Sequence, residues 1–380
     1  MTSGPPAPRR SLLPRKKRGV ERVAPPPLPA SSIRLAMANV RQRKLGIAAS
    51  AFLLALALVA LLADVLASDL PLLCKIHGAT HVLPAVARPA ALAGYDNQRI
   101  AREIGDAGQG WAIYPLVRFG PTHAQGRPPE PEMEPPGFGR GHPLGTDAQG
   151  RDVFARLVHG ARTSLTVSLL AVLAFVSVGG VLGAIAGFFG GVFDAAVTRV
   201  VETLSAFPTI VLVLVVQALV PSPTLVSLLL GIGLTRWPEI SRVVRAEVLL
   251  VGSAEYVTAA RALGASPWRV LLRHVFPNIK TPMMVAMTFG LAQIILLEAS
   301  LSFLRVGVPA PIASWGEMLS EVRDHHGAFW LLVFPGLLVF LTVASLHVFG
   351  EALRDLLDPR IRLEGAHVEH PPGARADPAT

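Results

Sequence analysis

EYVTAARALGASPWRVLLRHVFPN, residues Glu255 to Asn278, is a short basic segment set between two strongly apolar blocks and punctuated by Gly264, Ser266, Pro267 and Pro277. Glu255 to Leu263 has helical character, and Gly264 stands where a left-handed terminator belongs. Ser266 is placed to cap a second helix whose first position is Pro267, where a missing N–H costs little. That helix is predicted to run through PWRVLLRHV and to stop before Pro277. Two helices of about two turns each do not stand alone in water, so they must pack. Either they pack only on the ends of their own chain's apolar spans, or the turn presents Arg269, Arg273 and His274 to the surface of a partner.

The surrounding chain decides what those spans are. With 51% hydrophobic and only 16% charged residues in 380, it is too apolar for a soluble domain of that size and reads as an integral membrane protein. The net charge of +9 comes without zinc-finger spacing, an RNP-like aromatic strand or a basic stripe, so no nucleic-acid partner is expected. Cys74 is the one cysteine, which excludes an intrachain disulfide framework. His123 and His142 are isolated, and the adjacent His325 and His326 cannot share a helix face, so no metal site is expected.

Residues 1–44 are rich in Pro and Arg and read as a disordered basic tail. The run over 45–66, LGIAASAFLLALALVALLADVL, matches the ~20 residues that a helix needs to cross hydrocarbon. Arg41, Arg43 and Lys44 precede it, which places the amino terminus in the cytoplasm; a cleaved signal peptide is the rival reading. Residues 67–160 are polar and proline-rich, an extracytoplasmic loop long for a connector and ending in an amphipathic interfacial element, GRDVFARL. A five-helix core is expected over 161–350, with spans at Ser164–Phe189, about Val197–Val220, about Thr224–Val244, Thr281–Leu304 and Phe329–Phe349, and PSPT (Pro221–Thr224) as a tight outer turn. The expected fold class is therefore all-α with six transmembrane helices, and the tail 351–380 returns to the cytoplasm. The same parity puts the loop 251–280 inside, where Arg242, Arg245, Arg261, Arg269, Arg273 and Lys280 cluster.

Several side chains within this frame attract chemistry. Gly179, Gly183, Gly187 and Gly191 recur every four residues and give a smooth face for close helix approach, either inside the subunit or between subunits. Asp152 and Arg156 are spaced to pair on a helix surface. Charged and amide groups inside spans are costly and are functional candidates by default, which singles out Glu298, Gln293 and Gln217. Glu298 either lines a pathway or makes a buried structural hydrogen bond. Arg236 and Glu239 flank Pro238 and read as a structural or gating pair.

At these residues the chain resembles a known family. TAARALG followed by RHVFPN is similar to the EAA loop of bacterial ABC importer permeases, with Thr258, Ala259, Ala260, Gly264 and Pro277 in the motif's places. HPLGTDAQGRDVFARLVHGARTSL (His142–Leu165), EASLSF from Glu298, SWGEML from Ser314 and LRDLLDPR near the carboxyl end resemble the dipeptide and oligopeptide permease subfamily. SDLPLL (Ser68–Leu73) and GWAIYP (Gly110–Pro115) look like the extended loop of the microcin C and oligopeptide type. There are two departures: the acidic residue that opens the loop motif is Thr258, for which Glu255 one turn earlier is the available substitute, and the usual FLGLG reads FLRVG with Arg305.

The resemblance implies a type I permease subunit of the bacterial inner membrane, multi-pass with both termini cytoplasmic. It implies a second related permease, which makes a heterodimer, together with two ATPase subunits, a periplasmic solute-binding protein and contact with membrane lipid. The turn from Glu255 to Pro277 would be the coupling element seated on an ATPase. ATP and Mg would belong to those partners and no cofactor to this chain, which has no GxxxxGK[ST] motif and is expected not to be an enzyme. Peptides are the favoured cargo, with nickel, glutathione or another small solute as the alternative. A membrane-embedded enzyme would need paired acid-base or metal residues in two spans. A membrane scaffold or sensor would need a signalling domain after Arg360. Neither signature is in the sequence.

Overall fold

A computed structural model describes residues 30–107, 110–123, 133–137, 141–221 and 224–357. The tails expected over 1–44 and 351–380 lie outside them except for 30–44 and 351–357, as do Ser222 and Pro223 of the outer turn. The chain divides into two units at Arg41 and Gln42, and the described residues of the first are the beginning of helix α1, Ala30–Leu61.

The first apolar run is helical, broken at Leu62 and resumed as the single turn α2, Ala63–Leu66. The segment read as a plain loop then folds. Strands β1 (Leu73–Ile76) and β2 (Ala79–Val82), the turn α3 (Pro84–Ala87), helix α4 (Asn97–Ala107) and strand β3 (Trp111–Ile113) follow in order. The strands form an antiparallel sheet, β2-β1-β3, with Leu73 opposite both Val82 and Ile113. Strand alternation sends Cys74 and Ile76 to one face, where they form a small core with Leu70, Leu92 and Ile100. Burial pushes the Cys74 thiol pKa up. The fold is therefore mostly helical, not all-α: the apolar alternation of Cys74 and Ile76 spans only four residues and carries no strand signal amid the prolines.

Helix α5 runs unbroken over Val153–Phe189, so the amphipathic GRDVFARL is the N-cap and first turns of a long helix and not a separate interfacial element. Asp152 caps it, its carboxylate accepting from the Ala155 N–H at 2.8 Å. The third predicted span is two helices, α6 (Gly191–Ser205) and α7 (Thr209–Ala218), bent by 89° at a break closed by Pro208. Helix α8, Leu225–Gly252, opens on a capping box in which Thr224 and Ser227 satisfy each other's backbone N–H groups. Helices α9 (Glu255–Ala262) and α10 (Pro267–Val270) flank Gly264. A wide π turn over Leu271–Val275 joins α10 to α11, Phe276–Phe303. The expected stop before Pro277 is thus absent: the widened turn eases the carbonyl that proline would strike, and Asn278 donates its side-chain N–H to the His274 carbonyl at 2.6 Å. Short helix α12 (Trp315–Glu321) and long helix α13 (Phe329–Leu357) are the last described elements.

Among the described residues four helices are long and apolar enough to cross a membrane, or five if the bent α6–α7 pair is one span. Helix α8 has the length, but Arg236, Glu239, Arg242 and Arg245 dilute its apolarity.

Tight packing of α5 on α8 organises the main core. A Cβ at Gly179 would fall 2.4 Å from the Trp237 carbonyl oxygen, at Gly183 2.4 Å from that of Ser241, and at Gly187 2.9 Å from that of Arg245. These three glycines therefore serve contact within the subunit. Gly191 does not join them: it starts α6 at φ +66° with no atom near its absent side chain.

Candidate functional site

Two regions gather the residues of interest, at opposite ends of the long helices. The first is the turn between α9 and α10. Gly264 adopts φ +84°, the Gly264 N–H donates to the Arg261 carbonyl at 3.0 Å, and the Ala265 N–H donates to that of Ala260 at 3.1 Å. This paired pattern is a Schellman motif. No atom lies within 4 Å of a Cβ at Gly264, so glycine is required there by backbone conformation alone. Pro267 opens α10 and Ser266 holds the N-cap position, but the Ser266 hydroxyl makes no cap bond, which corrects the sequence expectation.

Val257, Val270 and Leu271 are buried in the main core, the Trp268 ring packs at a tilt on Phe189 with ring centres 5.0 Å apart, and the Arg261 guanidinium lies 5.0 Å from the Phe188 ring centre. The turn is thus moored to the end of α5. Its other face is open: Tyr256, Leu263 (88% exposed), Trp268 and Leu272 are exposed apolar groups. Arg269 and Arg273 project among them and make no ion pair among the described residues. Thr258 and Ala259 are exposed and Ala260 packs on the core; the Thr258 hydroxyl donates back to the Ala254 carbonyl at 3.4 Å. Glu255 stands in the first turn of α9, where a negative charge suits the helix dipole.

The second region joins the loop before α5 to α12. Here the predicted Asp152–Arg156 pair does not form. Asp152 is committed to its cap and to His142, whose Nδ1 lies 2.7 Å from the carboxylate. Arg156 is fully buried and turns to Asp147 at 2.9 Å, to Glu321 at 3.5 Å and to Glu317. Arg151 lies 2.6 Å from Asp147 and 2.8 Å from Glu321. Three carboxylates thus share two guanidiniums, leaving one negative charge in surplus. Burial, opposed by Arg156, raises the Asp147 pKa to about 6, and burial with the Asp147 charge raises Glu321 to about 7. Glu317 is raised too, again chiefly by burial. Asp147, Arg151 and Glu317 fall inside the family-like motifs and Glu321 just beyond SWGEML, but nothing local announces the Arg151–Glu321 pairing across 170 positions.

A cavity of about 1020 Å³ adjoins this cluster, walled by the ends of α7 and α11, the loop after α11 and α12. Gln217 stands in its wall, 2% exposed, and neither its amide oxygen nor its amide nitrogen has a hydrogen-bond partner among the described residues. Of the proposed pathway residues only Gln217 borders this space. Glu298 is buried behind it, accepting from the Ser302 hydroxyl at 2.8 Å and the Ser164 hydroxyl at 3.3 Å, while Ser164 accepts from the Trp315 N–H. Its role here is to tie α5, α11 and α12 together. Arg236 donates to Glu239 at 2.7 Å and also to Gln293, which joins the pair across α8 and α11.

Residues 179–363 match the family described as binding-protein-dependent transport system inner membrane component. A putative peptide transport system permease protein of Brucella abortus is 38% identical over 234 residues, 61% of this chain and 78% of that one. The dipeptide transport system permease protein DppC of Alkalihalophilus pseudofirmus is 38% identical over 58% of this chain and 73% of its own. The glutathione transport system permease protein GsiD of Pectobacterium atrosepticum is 36% identical over 58% and 73%.

Proposed function

Because the chain belongs to the family of binding-protein-dependent transport system inner membrane components, we propose that it is a transmembrane permease subunit of an ATP-driven importer for peptides. It is a multi-pass membrane component, not an enzyme, and hydrolysis of ATP with Mg is the work of separate subunits. Its family implies two kinds of partner, an ATPase and a solute-binding protein. Peptide cargo is favoured by relatives named for peptide and dipeptide transport.

The finer reading has six crossings, α8 included as the fourth and the α6–α7 pair as the third, with both termini cytoplasmic and the sheet-bearing segment on the periplasmic side. A second, related permease completes the pathway. The observation that carries the mechanism is the moored turn at Gly264, with its exposed Tyr256, Leu263, Trp268, Leu272, Arg269 and Arg273. An apolar patch with unpaired cations is what a groove on a partner requires. In this mechanism ATP-driven closure of the partner subunits displaces the turn, and alternating access follows.

Capture of the solubilised chain from its native membrane, followed by mass spectrometry, tests this assignment. Recovery of an ATPase with a phosphate-binding loop and of a second permease supports it. Capture of neither, with the Arg269→Ala/Arg273→Ala double variant behaving as the parent in transport, defeats the coupling role.

A further inference from the structure

The cavity beside α12 has the features of a binding station, and the inference below rests on the peptide-importer reading. Its volume, about 1020 Å³, is at the upper end of the several hundred to ~1,000 Å³ typical of small-molecule sites. Two independent observations bear on what it takes. The first is Gln217, an amide inside an apolar helix, 2% exposed, with both of its polar atoms unpartnered among the described residues. A buried amide without a partner is costly, and its natural complement is another amide, which offers one N–H and one C=O to the same two atoms. The second is charge. Glu317, Glu321 and Asp324 line the cavity and Asp147 stands behind them; Arg151, Arg156 and Arg305 answer three of these four carboxylates. One carboxylate remains without a guanidinium at a largely buried wall, which takes up a proton when alone and gives it up to a cation that binds beside it.

We infer that this cavity receives the amino-terminal end of a peptide: the Gln217 amide, turned into the space it borders, pairs with a backbone amide, and the surplus carboxylate charge at Glu317 and Glu321 holds the free ammonium group. The pairing is non-covalent. It gives the permease its own preference for a free amino terminus, additional to any preference of the solute-binding protein.

The test uses the complete transporter reconstituted in vesicles, with trialanine and N-acetyl-trialanine as probes and uptake compared between variant and parent under one binding protein. Gln217→Leu is expected to lower uptake of both probes about tenfold while the second permease still co-purifies. Glu321→Gln is expected to reduce the ratio of free to acetylated uptake several-fold. Gln217→Lys supplies a tethered ammonium to the same wall, so it should assemble and block uptake of both probes. Parental uptake and parental ratio in all three variants overturn the inference. So does loss of the second permease from both Gln217 variants, which would mean that Gln217 faces that subunit. Failure of the parent transporter to take up either probe while binding and hydrolysing ATP would instead strike the peptide reading itself.

Discussion

Replacing Gly183 with alanine adds one methyl group at the closest approach of α5 and α8. The new Cβ would sit 2.4 Å from the Ser241 carbonyl oxygen and 3.0 Å from its Cα, both backbone atoms that no rotamer change can move. Ordinary contact begins near 3.4 Å, so the helices must separate by roughly 1 Å, enough to forfeit a quarter to a half of the dispersion energy of flanking contacts. Overpacking of this kind costs about 1–3 kcal/mol. Alanine's better helix propensity returns at most about 1 kcal/mol. The neighbouring Gly180→Ala is the control, because its Cβ would meet only the flexible Met283 side chain, at 3.5 Å, and should be neutral or slightly stabilising. Thermal unfolding of the two purified variants in one detergent reads the difference, with Gly183→Ala melting several degrees lower. Equal melting temperatures would show that α5 and α8 do not approach as described.

Gly264→Val forces a β-branched residue to φ +84° at a cost of about 1–3 kcal/mol, and it should uncouple ATP hydrolysis from transport; unchanged coupled uptake refutes the assigned turn. Arg305 holds φ +63° just past the end of α11, so Arg305→Gly should stabilise by about 1 kcal/mol in thermal unfolding, the exposed pair with Asp324 giving little in return. Asp147 and Glu321 have folded pKa values above their unfolded ones. The folded state therefore binds more protons between about pH 4 and 7, and the stability they contribute is present below that window and lost as pH rises through it. Amide hydrogen exchange in α12 should accordingly be better protected at pH 5 than at pH 8, after correction for intrinsic rates, and Glu321→Gln should flatten the difference.

The parts of this fold that chain-local physics dictates were legible. Long apolar runs became helices, and a glycine between two helical stretches became a left-handed turn, because both follow from neighbours a few residues apart. Asp152 and Arg156 show where that logic fails. Their spacing suits a pair, but a free helix N-terminus claimed the aspartate, and Asp147 together with Glu317, 161 positions away, claimed the arginine. Pro277 failed as a stop because a π turn, which no residue type signals, absorbed its clash. Cys74 and Ile76 pack against α4 as strand residues, yet a four-residue alternation amid prolines is too short to stand out. Gln217 stands out in the sequence as an amide within an apolar run; that it borders a cavity is a property of several elements together.

The π turn has a mechanical consequence. By widening the ladder instead of breaking it, the turn leaves Pro267–Phe303 as one continuous helix, some 55 Å at 1.5 Å per residue. Trp268 is near one end and Ser302, a wall residue of the large cavity, at the other. A push or torque applied at the turn would therefore reach Ser302 through one helix, with the π turn and Pro282 as the places where that helix can bend.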